Sequence, residues 1–561
     1  MKKLLLIALI LAAGMAFARS KPEAAVSAHP RAGETNRFGW TIPEKPIVIT
    51  FFDRQDNPET TGQMLLMLRD YIIEEFNVEL NRIVYDTDRD ERLNLMLASN
   101  DYPGVIADLN DAQYSNWVYQ RRAQELTDLI NEYGPNIKKE VGDLYPRYLD
   151  EQGRIYGVPV NFGLLPNPGY SAHIRWDVYN EMGKPKLETL TEYYAYLKKL
   201  IAMNPTDADG RPVYALSFND QITPDILSGF WGLRRGWKTD AATRTVKYWI
   251  NTDEGLDMTL SFNRIHLDGL LDPNAFLNRY EDWKALFSAG RLVGHMGSWW
   301  HTWNAGHEVW NKAWPDWQED QRFVQIAVKA EGVDKARLGP KNVMGGMSII
   351  TDKCENPEEV IQWWNFEITP MGTKLLNFGI PNLNNEPIDL DWAYLDEVTS
   401  VWHIDENGNW RFDEGHKQAY VNGTFDFQTL EVCGANLLYM VSPLRFTNEA
   451  RPVNQWYGYN FNDEAKWDNL TWTNLKDTIF DNTALEKIPY PPEENEIVIK
   501  QQVTDIGLTG FAQAVMADSA AECERIFMDM RNRANQAGLE DLEAYVTKEY
   551  EAKVKAWGIS F

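Results

Sequence analysis

Three cysteines in 561 residues, Cys354, Cys433 and Cys523, are too few for a disulfide-built scaffold, and an odd number leaves at least one thiol unpaired. At most one disulfide can form, and no pair has the close spacing of a redox or zinc motif. Basic residues are scarce beside acidic ones, 55 Lys and Arg against 82 Asp and Glu. The resulting net charge of -27 repels a nucleic-acid backbone or an anionic membrane surface, so neither is an expected partner. Beyond the first 18 residues no apolar run approaches the length that spans a bilayer, and the mature chain is expected to be soluble.

The usual catalytic signatures are also missing. There is no Gly-x-Ser-x-Gly elbow, no phosphate-cradling loop and no dinucleotide fingerprint. His307-Glu308 opens like a zinc-protease helix, but Asn311 stands where the second His is needed. His295, His301 and His307 recur every six residues, which fits no common ligand spacing, and they read as three independent structural histidines. Asp207-Ala208-Asp209-Gly210 resembles the middle of a calcium loop, yet Leu216 occupies the position of the closing Glu, so a surface turn is expected. No metal and no cofactor is expected. A hydrolytic carboxylate pair stays open, because such pairs are defined by separation in space rather than in sequence.

What is present is a globular composition, 44% hydrophobic and 24% charged, with an unusual wealth of 22 Trp and 25 Tyr. The length suits two or more domains. Lys2 and Lys3, the apolar run Leu4 to Ala13 and the small pair Ala16 and Ala18 have the pattern of a secretory signal peptide over residues 1–18. An uncleaved anchor is the alternative, for which the run is short. Export to the periplasm or beyond is the consequence, with the net charge moving to -29 once two lysines are removed. Residues 19–44 read as a tether. Ile47 to Phe52, Val78 to Val84 and Val105 to Ala107 read as strands separated by helices carrying Met64, Leu68 and Ile72, then Leu93, Met96 and Leu97, the alternation of a doubly wound parallel sheet. Ile155 to Val160 reads as a crossover between lobes, since a central strand would not accept Pro159. Helices are expected near 189–203 and 252–267, the second capped by Asn251, and from Ala520 onward with a break at Gly538. Cys523 falls on an apolar helix face with Phe527, Met530 and Ala534.

The densest feature is aromatic. Trp303, Trp310 and Trp314 fall at i, i+7 and i+11, a helical stripe expected in the core. Ser298, Trp299 and Trp300 instead come after a strand, where open α/β sheets place their ligand crevice, and there ligand contact is expected. An indole face matches the C–H face of a sugar ring.

Several stretches, taken in order, carry a family likeness: Arg92 to Ile106; Gly153-Arg154-Ile155-Tyr156-Gly157-Val158-Pro159; Arg175-Trp176-Asp177 with Thr189 to Tyr194; Asp268 to Pro273; Cys354 to Glu359; and Ala537 through Tyr550. The chain resembles extracellular solute-binding protein family 1, the carbohydrate-capturing subunits of bacterial ABC importers, in its larger oligosaccharide-binding branch. It departs from the family in lacking a lipid-anchoring Cys, in the degenerate calcium loop and over Asn382 to Gly415.

The resemblance implies an α/β fold, a two-lobed type II periplasmic binding protein in which each lobe is a doubly wound sheet with flanking helices, plus extra C-terminal helices. Lobe one is expected over 45–160 with 345–380, and lobe two over 161–344 with 381–561. A monomer that holds an oligosaccharide between the lobes and meets the permease subunits of an ABC importer in the membrane is implied. Strand ends then nominate Phe52, Asp53, Arg54 and Asp108 from lobe one, Asn161 and Phe162 from the crossover, and Trp231, Ser298, Trp299 and Trp300 from lobe two. The rival classes are a secreted carbohydrate-active hydrolase with a carboxylate pair in an aromatic cleft, and a surface adhesion or scaffold protein.

Overall fold

The run Ile47–Phe52 forms a strand, β1, that buries Ile47, Ile49, Phe51 and Phe52. In the computed structural model, which describes residues 28–52, 63–83, 88–150, 152–162, 169–341, 343–378, 402–404, 410–412, 440–443, 474–490 and 495–561, β1 lies between two parallel partners, β2 (Val78–Ile83) and β3 (Val105–Leu109). Helix α1 (Gln63–Phe76) links β1 to β2, and α2 (Arg89–Ser99) links β2 to β3. Asp88 starts α2 by accepting from the N–H groups of Asp90 and Glu91, and Asn100 ends it in the left-handed region at φ 56°. Leu93, Met96 and Leu97 are the buried face of α2, at the spacing expected. They share a core with Phe52, Ile106, Leu109 and Trp117, while Ile49, Phe51, Val105 and Ala107 contribute to a second core with Trp363 and Trp364. Toward their ends β1 and β3 therefore cover the sheet on both faces, while Val48 and Thr50 leave the start of β1 exposed on one face.

Two later segments complete this sheet. β4 (Val158–Phe162) and β11 (Gly346–Ile350) pair antiparallel, β11 also pairs antiparallel with β3, and the two-residue β14 (Ser442–Pro443) adds a parallel edge, giving the order β14-β4-β11-β3-β1-β2. The crossover expected at Ile155 to Val160 is thus partly a sheet strand. Pro159 stands opposite Met347 of β11, and the short β14 pairs with its neighbours Val160 and Phe162 rather than with it. The Glu367 carboxylate, at the end of α8 (Pro357–Glu367), accepts from the backbone N–H of Met440 and of Val441 and holds this returning segment against the sheet. Assignment of all of 381–561 to lobe two is corrected accordingly.

A second correction concerns the tether. Residues 28–44 are packed rather than trailing: Ile42 is 1% exposed, Phe38 lies against Phe76, and Trp40 meets Trp363 and Phe366 edge-on. Apolar side chains scattered without periodicity hid this contact from the pattern.

The second lobe is centred on a three-stranded antiparallel sheet in which β5 (Tyr170–Arg175) lies between β8 (His295–Ser298) and β9 (Phe323–Ile326). Around it sit α4 (Leu190–Met203), α5 (Asp253–Leu267) and a hairpin of β6 (Trp237–Asp240) and β7 (Thr245–Tyr248). A capping box joins Thr189 and Glu192 at the start of α4. The N-cap of α5 is Thr252, whose hydroxyl accepts from Gly255 N–H at 3.0 Å, one residue beyond the expected Asn251. Helices α9 (Asn495–Val515), α10 (Ala520–Gln536) and α11 (Leu539–Trp557) belong to this core, with Phe511, Phe527, Met530, Leu542 and Val546 buried in it and Cys523 buried beside it. Cys354 and Cys523 are free thiols. A separate hairpin pairs β12 (Trp402–Ile404) with β13 (Trp410–Phe412).

The lobes are joined at their strand ends. The chain passes from the end of β4 to the start of β5, and from β10 (Gly339–Lys341), which pairs with β15 (Ile479–Asp481), to the start of β11. Lys487 fastens this junction: its ammonium donates to the Asp111 carboxylate at 2.5 Å and to the Gly345 carbonyl at 2.6 Å. No helix among the described residues is long and apolar enough to cross a membrane.

Because Phe52 is fully enclosed, Phe52→Ala should cost about 3 to 5 kcal/mol of stability through the cavity it leaves. Denaturant unfolding measures this directly. A loss below about 1 kcal/mol would mean that the site is open rather than packed.

Candidate functional site

The C-terminal ends of the lobe-one strands bring Phe52, Asp108, Asn161 and Phe162 to one edge of the sheet. Phe52 pairs with Ile106, Leu109 with Met347, and Val160 with Gly346. Phe52 itself is 0% exposed and packs in the core, so it is corrected from ligand contact to scaffold. Asp53 and Arg54 lie outside the described residues, as do the side chains of Asn161 and Phe162. Asp108 is half-buried and adopts φ +55° within β3, a conformation that costs a non-glycine residue strain. Its N–H donates to Ser348 Oγ at 3.0 Å and its carbonyl accepts from Arg89 at 2.9 Å, so both neighbours hold the turn. A Cβ on Gly346 would stand 2.4 Å from Asp108 Oδ1, so only glycine lets the carboxylate lie over β11.

In lobe two, Ser298, Trp299 and Trp300 come together where β8 runs into a helix. Ser298 ends the strand and is buried, whereas Trp299 and Trp300, in the first turn of α6 (Trp299–Thr302), are half-buried. The Trp300 ring lies 5.3 Å from Tyr280 and 4.1 Å from His301. Trp231 is elsewhere: it is 3% exposed, its indole N–H donates to Asp257 at 2.6 Å, and its ring packs on Phe262. That candidate is corrected to a core residue.

The expected tryptophan stripe is broken by a π-helical turn at Trp303–His307, between α6 and α7 (Glu308–Ala313). An extra residue in that turn rotates the side chains of α7 about the helix axis relative to those of α6. Trp310 is accordingly core, 3% exposed and stacked on Phe287, while Trp303 and Trp314 are 38% and 39% exposed. Trp303 stacks on His307 at 4.0 Å and Trp314 on Trp310 at 5.1 Å. Core burial is thus overturned for Trp303 and Trp314.

His295 and His301 are not independent either, whereas His307 packs apart from them against Trp303 and Trp317. His173 and His295 face each other across β5 and β8, with rings 5.0 Å apart. His295 Nε2 lies 3.1 Å from His301 Nδ1, and His301 Nε2 lies 3.0 Å from Gln221 Oε1. His173 contacts Thr302 Oγ1 and the Gly297 carbonyl, each at 3.1 Å. Gly297 is required here, since a Cβ would reach within 2.3 Å of His295 Nε2. Burial pushes His173 down to about 3 and His301 down to about 4, and holds His295 well below its ordinary value, so all three are neutral at pH 7. Gln221 and Tyr280 escaped the sequence analysis. No motif marks either, and their roles come from neighbours distant in the chain.

Among the described residues no group of three or more His, Cys, Asp or Glu is placed to hold a metal ion. The calcium-like turn is closed internally by Arg211, which pairs with Asp207 at 2.7 Å and Asp209 at 2.8 Å.

No protein-family model and no curated protein matches the chain by sequence. Solved structures do match. The chain is similar to the alginate-binding protein AlgQ2 without calcium ion, at 18% identity and TM-score 0.64, over 91% of this chain and 99% of that one. It is similar to the S. pneumoniae ABC-transporter substrate-binding protein FusA in complex with kestose, at 16% identity and TM-score 0.65, over 91% and 100%. An HMO-binding ABC-transporter-associated solute-binding protein from Bifidobacterium longum infantis matches at 14% identity and TM-score 0.64, over 90% and 99%. The chain therefore has the two-lobed fold of ABC-transporter solute-binding proteins.

An unfolded His takes up a proton near pH 6.5, whereas the buried rings refuse one until about pH 4 or below. Lower pH therefore favours the unfolded chain, by up to about 1.4 kcal/mol per ring per pH unit, and this stability is lost as pH falls from 6.5 toward 4. Replacing one ring should remove its share. Between pH 7 and 4.5, His301→Asn should lose less stability than the unaltered chain in urea unfolding; equal losses would refute a neutral buried His301.

Proposed function

We propose that the chain is an exported binding protein that captures an oligosaccharide between its two lobes and delivers it to the permease of an ABC importer. The observation that carries this reading is the half-buried Trp299–Trp300 pair at the strand end where the lobes join, within a fold whose solved neighbours are named for binding alginate, kestose and HMO. Aromatic faces bind the C–H face of a sugar ring, and polar groups around them bind its hydroxyls. On the lobe-one side the strained Asp108 turn is the polar candidate. With Phe52 and Trp231 in the core, the proposed contacts are Asp108, Ser298, Trp299 and Trp300, with Asp53, Arg54, Asn161 and Phe162 nominated by the same strand-end logic. The excess of acidic charge argues against electrostatic capture of strongly anionic polymers over the general surface. The hydrolase alternative gains nothing from the neighbours, which are binding proteins.

A thermal-shift screen over neutral and uronic-acid oligosaccharides should find a stabilising ligand that is recovered intact, whereas an enzyme returns products. Trp299→Ala and Trp300→Ala should each weaken that ligand by about 2 kcal/mol, or roughly thirtyfold, while barely moving the melting temperature without sugar. Normal binding by both variants would displace the site. Closure around the ligand supplies a further expectation: small-angle scattering at saturation should report a smaller radius of gyration for a monomer. An unchanged radius would remove the closing mechanism.

A further inference from the structure

We infer that Gln221 is a specificity-determining residue of the Trp299–Trp300 site, presenting its amide N–H groups to an acceptor oxygen of the ligand, and that the buried His295–His301 pair fixes that polarity. The identity of the acceptor rests on the carbohydrate reading; the polarity rests on geometry alone. His295 is fully buried, and its Nδ1 has no hydrogen-bond partner. A neutral imidazole carries one N–H, and an N–H buried without an acceptor is rarer and costlier than a bare lone pair. The hydrogen of His295 therefore sits on Nε2, which donates across 3.1 Å to His301 Nδ1. His301 must then carry its own hydrogen on Nε2, which donates across 3.0 Å to Gln221 Oε1. The carboxamide is thereby oriented, and its NH2 group is left on the far side. Gln221 is exposed, and no described residue accepts from that nitrogen.

The loop places this donor beside the aromatic platform. Residues 214–216 run parallel to the approach to β8, with Gly294 N–H donating to the Ala215 carbonyl, so Gln221 emerges at the same sheet end as Ser298. Asn219 Oδ1 accepts from Gln221 N–H at 2.9 Å and holds the loop. One His301 ring thus anchors both the amide and, at 4.1 Å, the Trp300 indole. An apolar face flanked by fixed donors selects a ligand with a C–H face and a neighbouring oxygen acceptor, which is the chemistry of a sugar ring.

Two measurements on the full chain test this. In a long-range proton–nitrogen correlation spectrum of histidine-labelled protein at pH 7, His295 and His301 should both appear as the Nε2–H tautomer. The Nδ1–H form at either ring would reverse the amide and overturn the inference, whether or not any sugar binds. Gln221→Glu keeps an acceptor for His301 and replaces the outward donor with an oxygen. It should leave the melting temperature without sugar unchanged and weaken, at least tenfold, the oligosaccharide that most stabilises the unaltered chain in the panel of neutral and uronic-acid oligosaccharides. Equal affinity would overturn the specificity role. If the unaltered chain binds nothing in the panel, the carbohydrate reading fails and takes that role with it, while the tautomer result still decides the polarity.

Discussion

The C-terminal half of the lobe-one sheet and the central sheet of lobe two are covered on both faces, and that constraint leaves the strand ends as the place where they can do chemistry. In lobe one, Phe51 and Phe52 at the end of β1 and Ala107 and Ile106 in β3 feed cores on opposite faces, so that half of the sheet has no face open to a ligand, while the exposed Val48 and Thr50 lie toward the start of β1. The candidate site then collects where the strands stop. The Asp108 turn, the Lys487 fastening and the Trp299–Trp300 step all lie at the ends through which the chain crosses between lobes. The crossings and the candidate site are consequences of one topology.

Lobe two meets the same constraint with a polar layer. One face of β5, β8 and β9 carries Ala172, Ile174, Met296 and Ile326 into the main apolar core. The alternate positions are Ser171, His173, His295 and Gln325, all buried. Buried polar groups need partners, and most of these have them: Gln325 donates to Ser171 Oγ at 2.7 Å, and the histidines are bonded to Thr302, Gly297, one another and Gln221. Such a layer has few alternative packings, because any shift strands a donor. It therefore fixes the first turn of α6, and with it the aromatic platform, more firmly than apolar packing would.

The π-helical turn after α6 has a comparable effect on the aromatics. It turns Trp310 inward to stack on Phe287 and leaves Trp303 partly at the surface, while Trp314 is exposed because it lies past the end of α7 in extended backbone. The same residues in an unbroken helix would have put Trp303 and Trp310 on one face.

Much of the fold was legible in the sequence. The strands at 47–52, 78–83 and 105–109, the buried face of Leu93, Met96 and Leu97, and the helices near 189–203 and 252–267 were all written in short-range periodicity, which acts over a few residues. The strand-to-helix step at Ser298 and its two tryptophans could be nominated for the same reason. The rest depended on which distant segments meet. Phe52 and Trp231 became core because side chains far along the chain close over them, and Pro159 joined a strand because β11 and β14, which come much later in the chain, return to lie beside it. The histidine chain arises from the register that sets His173 against His295, 122 residues away, and from a loop that delivers Gln221 to His301. Local propensity determined the pieces of this protein; burial and register, which exist only once the chain has returned on itself, decided which of them come together at the candidate site.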